Sequence, residues 1–214
     1  MTRRLRGGLI VAALAVQLAA CAPMSSGGGL EAGSGSEPGA AAGGGAVGVR
    51  VDVSGRFIAL VGPKVQHDPP YLDTPNTNYY CLRSFIDQQT GQTAHQLYVA
   101  ASYESIRDWD TARDGSGHPL QFLPISRFKI ACNGKEDCLY SEEFAAKIPE
   151  GELNDSARGF TITFADRVGH SQTIAVSPQQ IAAQIAALAV QQNKLRSVQT
   201  QPGSAALTPL PHQP

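Results

Sequence analysis

The chain has 214 residues, of which 42% are hydrophobic and 16% charged, a composition typical of one globular domain. The formal net charge is -1, and removal of the first 20 residues would take away three arginines and no acid, giving -1 - 3 = -4. No strongly basic face is implied, which argues against a nucleic-acid partner.

The first 20 residues are typical of a signal peptide. Three arginines precede an apolar run over 9–18, which is about half as long as a bilayer-spanning helix. Residues 18–21, Leu-Ala-Ala-Cys, resemble the lipobox of bacterial lipoproteins. This resemblance implies cleavage before Cys21 and lipid on its thiol. The alternative is a soluble exported protein cleaved after Ala22.

Lipid on Cys21 would hold the mature protein on a membrane of the cell envelope. One acyl chain binds marginally, at about 0.8 kcal/mol per buried methylene, whereas two or more, such as palmitate with diacylglycerol, anchor durably. Ala22 after the cysteine, in place of Asp, resembles lipoproteins that are forwarded to the outer membrane. In a Gram-negative host we therefore expect the outer membrane, with the domain facing the periplasm.

Composition divides the mature chain into three parts. Residues 21–48 are rich in Gly, Ser and Ala and predict a flexible tether, with a random-coil reach of about 25 to 30 Å. Residues 49–197 carry the periodic apolar patterns of a globular domain. Residues 198–214 are rich in Gln and Pro and predict a disordered tail.

The globular part alternates apolar and polar residues, which predicts half-buried strands. The segments are 51–61, 79–86, 97–103, 128–132, 139–148, 160–164 and 172–176, separated by turn residues. Short connections favour antiparallel pairing. We therefore expect a sheet of about six to seven strands.

A C-terminal helix follows the last strand. Ser177, Pro178 and Gln180 form a capping box with proline at the first helical position. One stripe is apolar and should pack on the sheet, with the glutamines, Gln184 among them, mainly off it; its members are Ile181, Ile185, Leu188 and Leu195. This predicts an α+β domain. A shorter helix is predicted over 105–112.

The sequence predicts no catalytic, cofactor-binding or metal-binding residue, because no nucleophile–base pair, metal-ligand spacing or phosphate loop can be assembled from it. Glu142 falls on the apolar face of its predicted strand, where a carboxylate needs a partner. It is either an acid with a raised pKa in a pocket or a structural residue, which is buried and hydrogen-bonded or is turned outward by a local bulge. The proline-rich segment 62–78 predicts a long surface loop, either a contact surface or an ordered connection.

Cys132 and Cys138 are predicted to form a disulfide. An exported protein folds where thiols oxidise, and this pair closes the shortest loop across the turn signal Asn133-Gly134. With Cys21 lipidated, Cys81 is expected to stay a buried thiol. The alternative, a redox pair, lacks the Cys-x-x-Cys spacing.

Part of the chain resembles a family of uncharacterised bacterial lipoproteins and exported proteins. The resemblance covers roughly the second half of the domain and rests on the order Tyr103, Trp109, Ala112, Arg127, then Cys132 followed by Cys138, Tyr140 and Glu142, then Gly159 and the helix over 181–188. It implies export, and it implies no activity, substrate or catalytic residue.

Two functions follow as hypotheses. The first is a membrane-anchored, non-catalytic binding or assembly module without a cofactor, acting on an unidentified envelope protein. The alternative is a cell-envelope hydrolase with a site around Glu142 and either His95 or His118. A pocket that holds Glu142 together with a histidine would favour the enzyme.

Overall fold

The computed structural model describes residues 45–67, 77–133, 137–155 and 158–199. The predicted signal peptide, the lipidated Cys21, almost all of the tether and nearly the whole tail lie outside the described residues, as does 68–76 of the proline-rich loop. No helix within the described ranges is long and apolar enough to cross a membrane.

The described residues form antiparallel strands and two helices. In chain order these are β1 (Gly48–Val51), β2 (Phe57–Val61), β3 (Val65–Gln66), β4 (Tyr79–Asp87), β5 (Thr93–Tyr103), β6 (Trp109–Asp114), β7 (Pro119–Leu120), β8 (Phe122–Asn133), β9 (Asp137–Ile148), α1 (Glu150–Asp155), β10 (Phe160–Asp166), β11 (Ser171–Val176) and α2 (Pro178–Gln199). One sheet has the order β1-β2-β4-β5-β9-β8, with β3 beside β4, and the other has the order β11-β10-β6-β7.

The predicted α+β class is confirmed, with α2 packed on β2 and β4 of the larger sheet. One apolar cluster joins residues of both sheets and both helices. At its centre the ring of Phe144 on β9 lies 4.9 Å, centroid to centroid, from the ring of Phe164 on β10. The core therefore lies between the two sheets and beneath α2.

The central strands β4 and β5 are buried on both faces. Leu97 and Val99 face the main cluster, while Tyr98 and Ala100 belong to a second buried cluster with Tyr79. The prediction of a half-buried strand over 97–103 is therefore wrong in this respect. The apparent alternation came from tyrosine and alanine, which are also accommodated inside proteins.

Two predicted segments differ in the structure. The strand predicted over 51–61 is the hairpin β1–β2, whose turn is closed by the Phe57 backbone N–H donating to Asp52 Oδ1 at 2.7 Å. The helix predicted over 105–112 is wrong, because this segment leads into β6, which pairs with β10. Trp109 and Ala112 are three residues apart, as on a helix face, but a register shift in the β6–β10 ladder turns both inward.

The helix α2 begins as predicted. The Ser177 N–H donates to Gln180 Oε1 at 2.9 Å, and the Gln180 N–H donates to Ser177 Oγ at 3.3 Å, which is a capping box. Ile181 and Leu188 are buried, but so is Gln184 between them. The placement of Gln184 off the stripe is therefore wrong, since its amide donates to buried acceptors on β2 and β4.

Candidate functional site

A cleft of about 300 Å³ opens at the end of the larger sheet, where β8 and β9 meet β6. A bulge between Pro124 and Ser126 separates the two strands there. The cleft has aromatic and charged walls, formed mainly by Trp109, Phe122, Phe144, Arg127, Glu142 and Glu143. This mixture of apolar and polar lining is typical of a binding cleft.

Glu142 is the buried acid of the cleft, with 3% of its surface exposed. One carboxylate oxygen accepts the Arg107 backbone N–H at 2.5 Å, and the other lies 3.5 Å from Arg127 Nη2. Arg127 stands opposite Glu142 in the β8–β9 ladder. The interpretation of Glu142 as a buried, hydrogen-bonded glutamate is confirmed.

The loop between β5 and β6, residues 104–108, is tied to both sheets. On the side of the larger sheet, Arg127 Nη1 lies 2.5 Å from the carboxylate of Asp108. On the other side, Arg107 Nη1 lies 2.6 Å from His170 Nε2. Asp108 has a φ of +57°, a conformation that aspartate tolerates better than most residues. The loop therefore connects the two sheets at one end of the domain, and we call residues 104–108 the clasp.

Asp166 orients the ring of His170, because its Oδ2 lies 2.5 Å from His170 Nδ1. Burial opposes ionisation of Asp166, yet hydrogen bonds from the His170 ring and from the backbone N–H groups of His170 and Val168 hold its pKa below its ordinary value. An ionised Asp166 places a proton on Nδ1, so that Nε2 can accept from Arg107.

A second hydrogen-bond chain runs along the same end of the domain. Trp109 Nε1 donates to the Tyr103 hydroxyl at 3.1 Å, and this hydroxyl donates to Gln172 Oε1 at 3.3 Å. Gln172 Nε2 in turn lies 3.0 Å from His67 Nδ1. Burial raises the pKa of Tyr103, so its phenol stays protonated and able to donate. The chain links β5 and β6 to β11.

The three predicted acid–base candidates are not brought together. Ala101 on β5 is the register partner of Glu142, and His95 lies six residues before Ala101 on the same strand. This spacing puts His95 about 20 Å from Glu142. His95 lies 2.9 Å from Ser84 Oγ. His118 lies in the exposed turn after β6, 3.1 Å from Asp114. Among the described residues, the cleft lining contains no histidine.

The cleft lies at the base of a projecting hairpin. Beyond the pair Tyr103–Tyr140, where β5 ends, three further residue pairs of β8 and β9 have no third strand beside them among the described residues, a projection of about 10 Å. We call residues 130–133 and 137–139 the hairpin arm. Phe128, predicted to face the core, is 50% exposed at the base of this arm, opposite Ser141. The alternating pattern of a strand does not show whether other elements of the fold cover that part of the strand.

The disulfide predicted between Cys132 and Cys138 is confirmed, with a Cα–Cα distance of 4.0 Å in the hairpin arm. Cys81 is buried, as expected, but the prediction that it stays a thiol is wrong. It is disulfide-bonded.

The sequence did not identify Arg107, Asp108 or His170 as partners in the cluster around Glu142. The pattern Asp-x-x-Gly-His occurs twice, at 114–118 and 166–170, and in both turns the aspartate binds the histidine ring. This repeat was the available signal for His170. Nothing local marks Arg107, because Glu142 lies 35 residues further along the chain.

No group of three or more His, Cys, Asp or Glu side chains within the described ranges could hold a metal ion. Comparison of the chain with protein-family models, curated proteins and solved structures found no match. Its function must therefore be argued from its own residues.

Proposed function

We propose that the protein is a membrane-anchored bacterial lipoprotein whose folded domain is a non-catalytic binding or assembly module of the cell envelope. The lipobox supports an anchor at Cys21, and the tether sets the domain about 25 to 30 Å from it. In a Gram-negative host the anchor is in the outer membrane and the domain faces the periplasm.

The arrangement around Glu142 carries the non-catalytic part of this proposal. A general acid or base must exchange a proton with a substrate, and its pKa is tuned for that exchange. Here one oxygen is occupied by the Arg107 N–H and the other faces Arg127, within the chain's own clasp. Glu142 therefore serves to hold the loop and the base of the hairpin arm.

The hairpin arm is the surface that we assign to an envelope protein partner. It projects beyond the sheet, its end is closed by the disulfide, and the exposed aromatic ring of Phe128 lies at its base. A rigid arm loses little conformational entropy on binding, and exposed aromatic residues contribute strongly to protein interfaces.

Crosslinking on native membranes tests this proposal, with the full chain as wild type, Phe128→Ser or Val168→Ser. Val168 is a matched control because it is also an exposed apolar residue, 80% exposed, but lies in the turn between β10 and β11. We expect one defined crosslinked protein with the wild type and the Val168 variant, and at least a tenfold loss with Phe128→Ser. Equal capture by both variants, or no specific capture by the wild type, would contradict the proposal.

The hydrolase alternative is tested by Glu142→Gln, assayed for release of soluble fragments from envelope polymers. A wild-type activity that this substitution abolishes, in a variant that still folds, would replace the binding proposal with the enzymatic one.

A further inference from the structure

Three buried polar side chains connect α2 to the larger sheet, away from the cleft. Gln184 on α2, Ser84 on β4 and His95 on β5 are 1%, 0% and 5% exposed. Gln184 Nε2 lies 2.9 Å from Ser84 Oγ and 3.1 Å from the Leu60 carbonyl oxygen on β2. Ser84 Oγ lies 2.9 Å from His95 Nδ1. Polar groups buried this deeply are costly unless they are hydrogen-bonded.

The direction of these hydrogen bonds follows from the Leu60 carbonyl, which can only accept. The Gln184 amide must therefore turn Nε2 toward it, and the second hydrogen of Nε2 points to Ser84 Oγ. We assign the Ser84 hydroxyl as the donor to His95 Nδ1. In this arrangement His95 is neutral and carries its own proton on Nε2.

Protonation of His95 reverses the last bond. Nδ1 would become a donor toward Ser84 Oγ, which already accepts from Gln184, and the Ser84 proton would lose its acceptor. The change would also place a positive charge in a site that water hardly reaches. Both effects oppose the packed position of α2.

We propose that Gln184, Ser84 and His95 form an acid-sensitive latch, which holds α2 on the sheet while His95 is neutral and releases the helix when His95 is protonated. No described element follows α2, so the helix can leave without displacing a strand. Release would expose the apolar stripe of α2, including Ile181 and Leu188, and the sheet face beneath it.

The groups around His95 agree with this latch. Ser84 faces it from β4 and connects it to Gln184 on α2, and on β9 its register partner is the apolar Ile148. The carboxylate of Glu150, at the start of α1, is the charge that acts on it. Burial lowers the pKa of His95 below 6.5, and Glu150 only partly opposes this effect.

The sign of the pH dependence follows directly. Below pH 6.5 the unfolded or released form of His95 binds more protons than the packed form. The packed state is therefore fully favoured above pH 6.5 and loses stability as the pH falls toward the lowered pKa of His95 in the packed domain.

Hydrogen exchange of the full chain at pH 7.5 and pH 5.5, corrected for intrinsic rates, tests the latch. We expect α2 to lose several-fold more protection at pH 5.5 than β4 and β5 do, up to the limit of about tenfold that a single proton sets over this pH range. His95→Asn keeps an acceptor near the position of Nδ1 but cannot be protonated, so it should abolish this difference. His118→Asn, in the exposed turn, should leave the difference unchanged.

A second variant keeps the test decisive if His95→Asn does not fold. Gln184→Met removes the donor from α2, so the helix should be weakly protected at both pH values. Equal wild-type protection of α2 at the two pH values would overturn the latch. The same follows if the pH difference persists in His95→Asn or disappears in His118→Asn.

Discussion

Glu142 illustrates what a sequence can and cannot predict for one residue. Its position on the inward face follows from the alternation of Tyr140, Phe144 and Ala146, which is local and therefore visible. Its partners depend on how a loop 35 residues earlier folds back over the sheet. The burial of the carboxylate was predictable, whereas its role as an anchor for the clasp was not.

Substitutions at Glu142 should separate its charge from its hydrogen bond. Glu142→Ala leaves the Arg107 N–H without its acceptor and removes one of the two carboxylates beside Arg127, so it should cost about 2 to 3 kcal/mol. Glu142→Gln retains an acceptor oxygen and should cost about 1 kcal/mol. Denaturant unfolding measures both, with Glu104→Ala, an exposed glutamate in the same loop, as control. If Glu142→Ala unfolds at the same denaturant concentration as the Glu104→Ala control, Glu142 does not stabilise this loop.

At the scale of elements, local signals proved reliable and pairing signals did not. The capping box of α2 lies within four residues, so the sequence alone identified it. Gln184 was placed off the buried stripe because a periodicity argument treats every amide as solvated, whereas its acceptors come from β2 and β4. The bulge that turns Trp109 and Ala112 inward depends likewise on β10, which is distant in sequence.

The packing of α2 can be tested by moving a charge around the helix. Leu188 is buried and Val190 is half-exposed, two residues further along. Leu188→Asp places a carboxylate on the buried stripe and should cost about 3 kcal/mol or more, whereas Val190→Asp should cost about 0.5 kcal/mol or less. Thermal unfolding at pH 7.5 compares them. Equal melting temperatures would show that this face of α2 does not pack on the sheet.

For the whole molecule, the fold class and the Cys132–Cys138 bond were predictable because both follow from alternating strands and a short hairpin. The division into two sheets was not, because no local pattern shows which strands become neighbours. The chain has four cysteines, and Cys132 pairs with Cys138. Because a lipidated Cys21 has no thiol, the lipoprotein proposal requires that the disulfide at Cys81 is not made with Cys21 of the same molecule.

The most direct test of the proposed lipoprotein is the chemical state of Cys21 in the full chain, expressed in bacteria with labelled palmitate. We predict label in the membrane-associated wild type, no label and an uncleaved precursor with Cys21→Ser, and retained label with Cys81→Ser as the matched control. Mass spectrometry of the unreduced, digested protein then shows whether the Cys21 sulfur carries lipid or is in a disulfide. An unlabelled wild type that partitions into the aqueous phase of a detergent separation, or a peptide joining Cys21 to Cys81, would contradict the account.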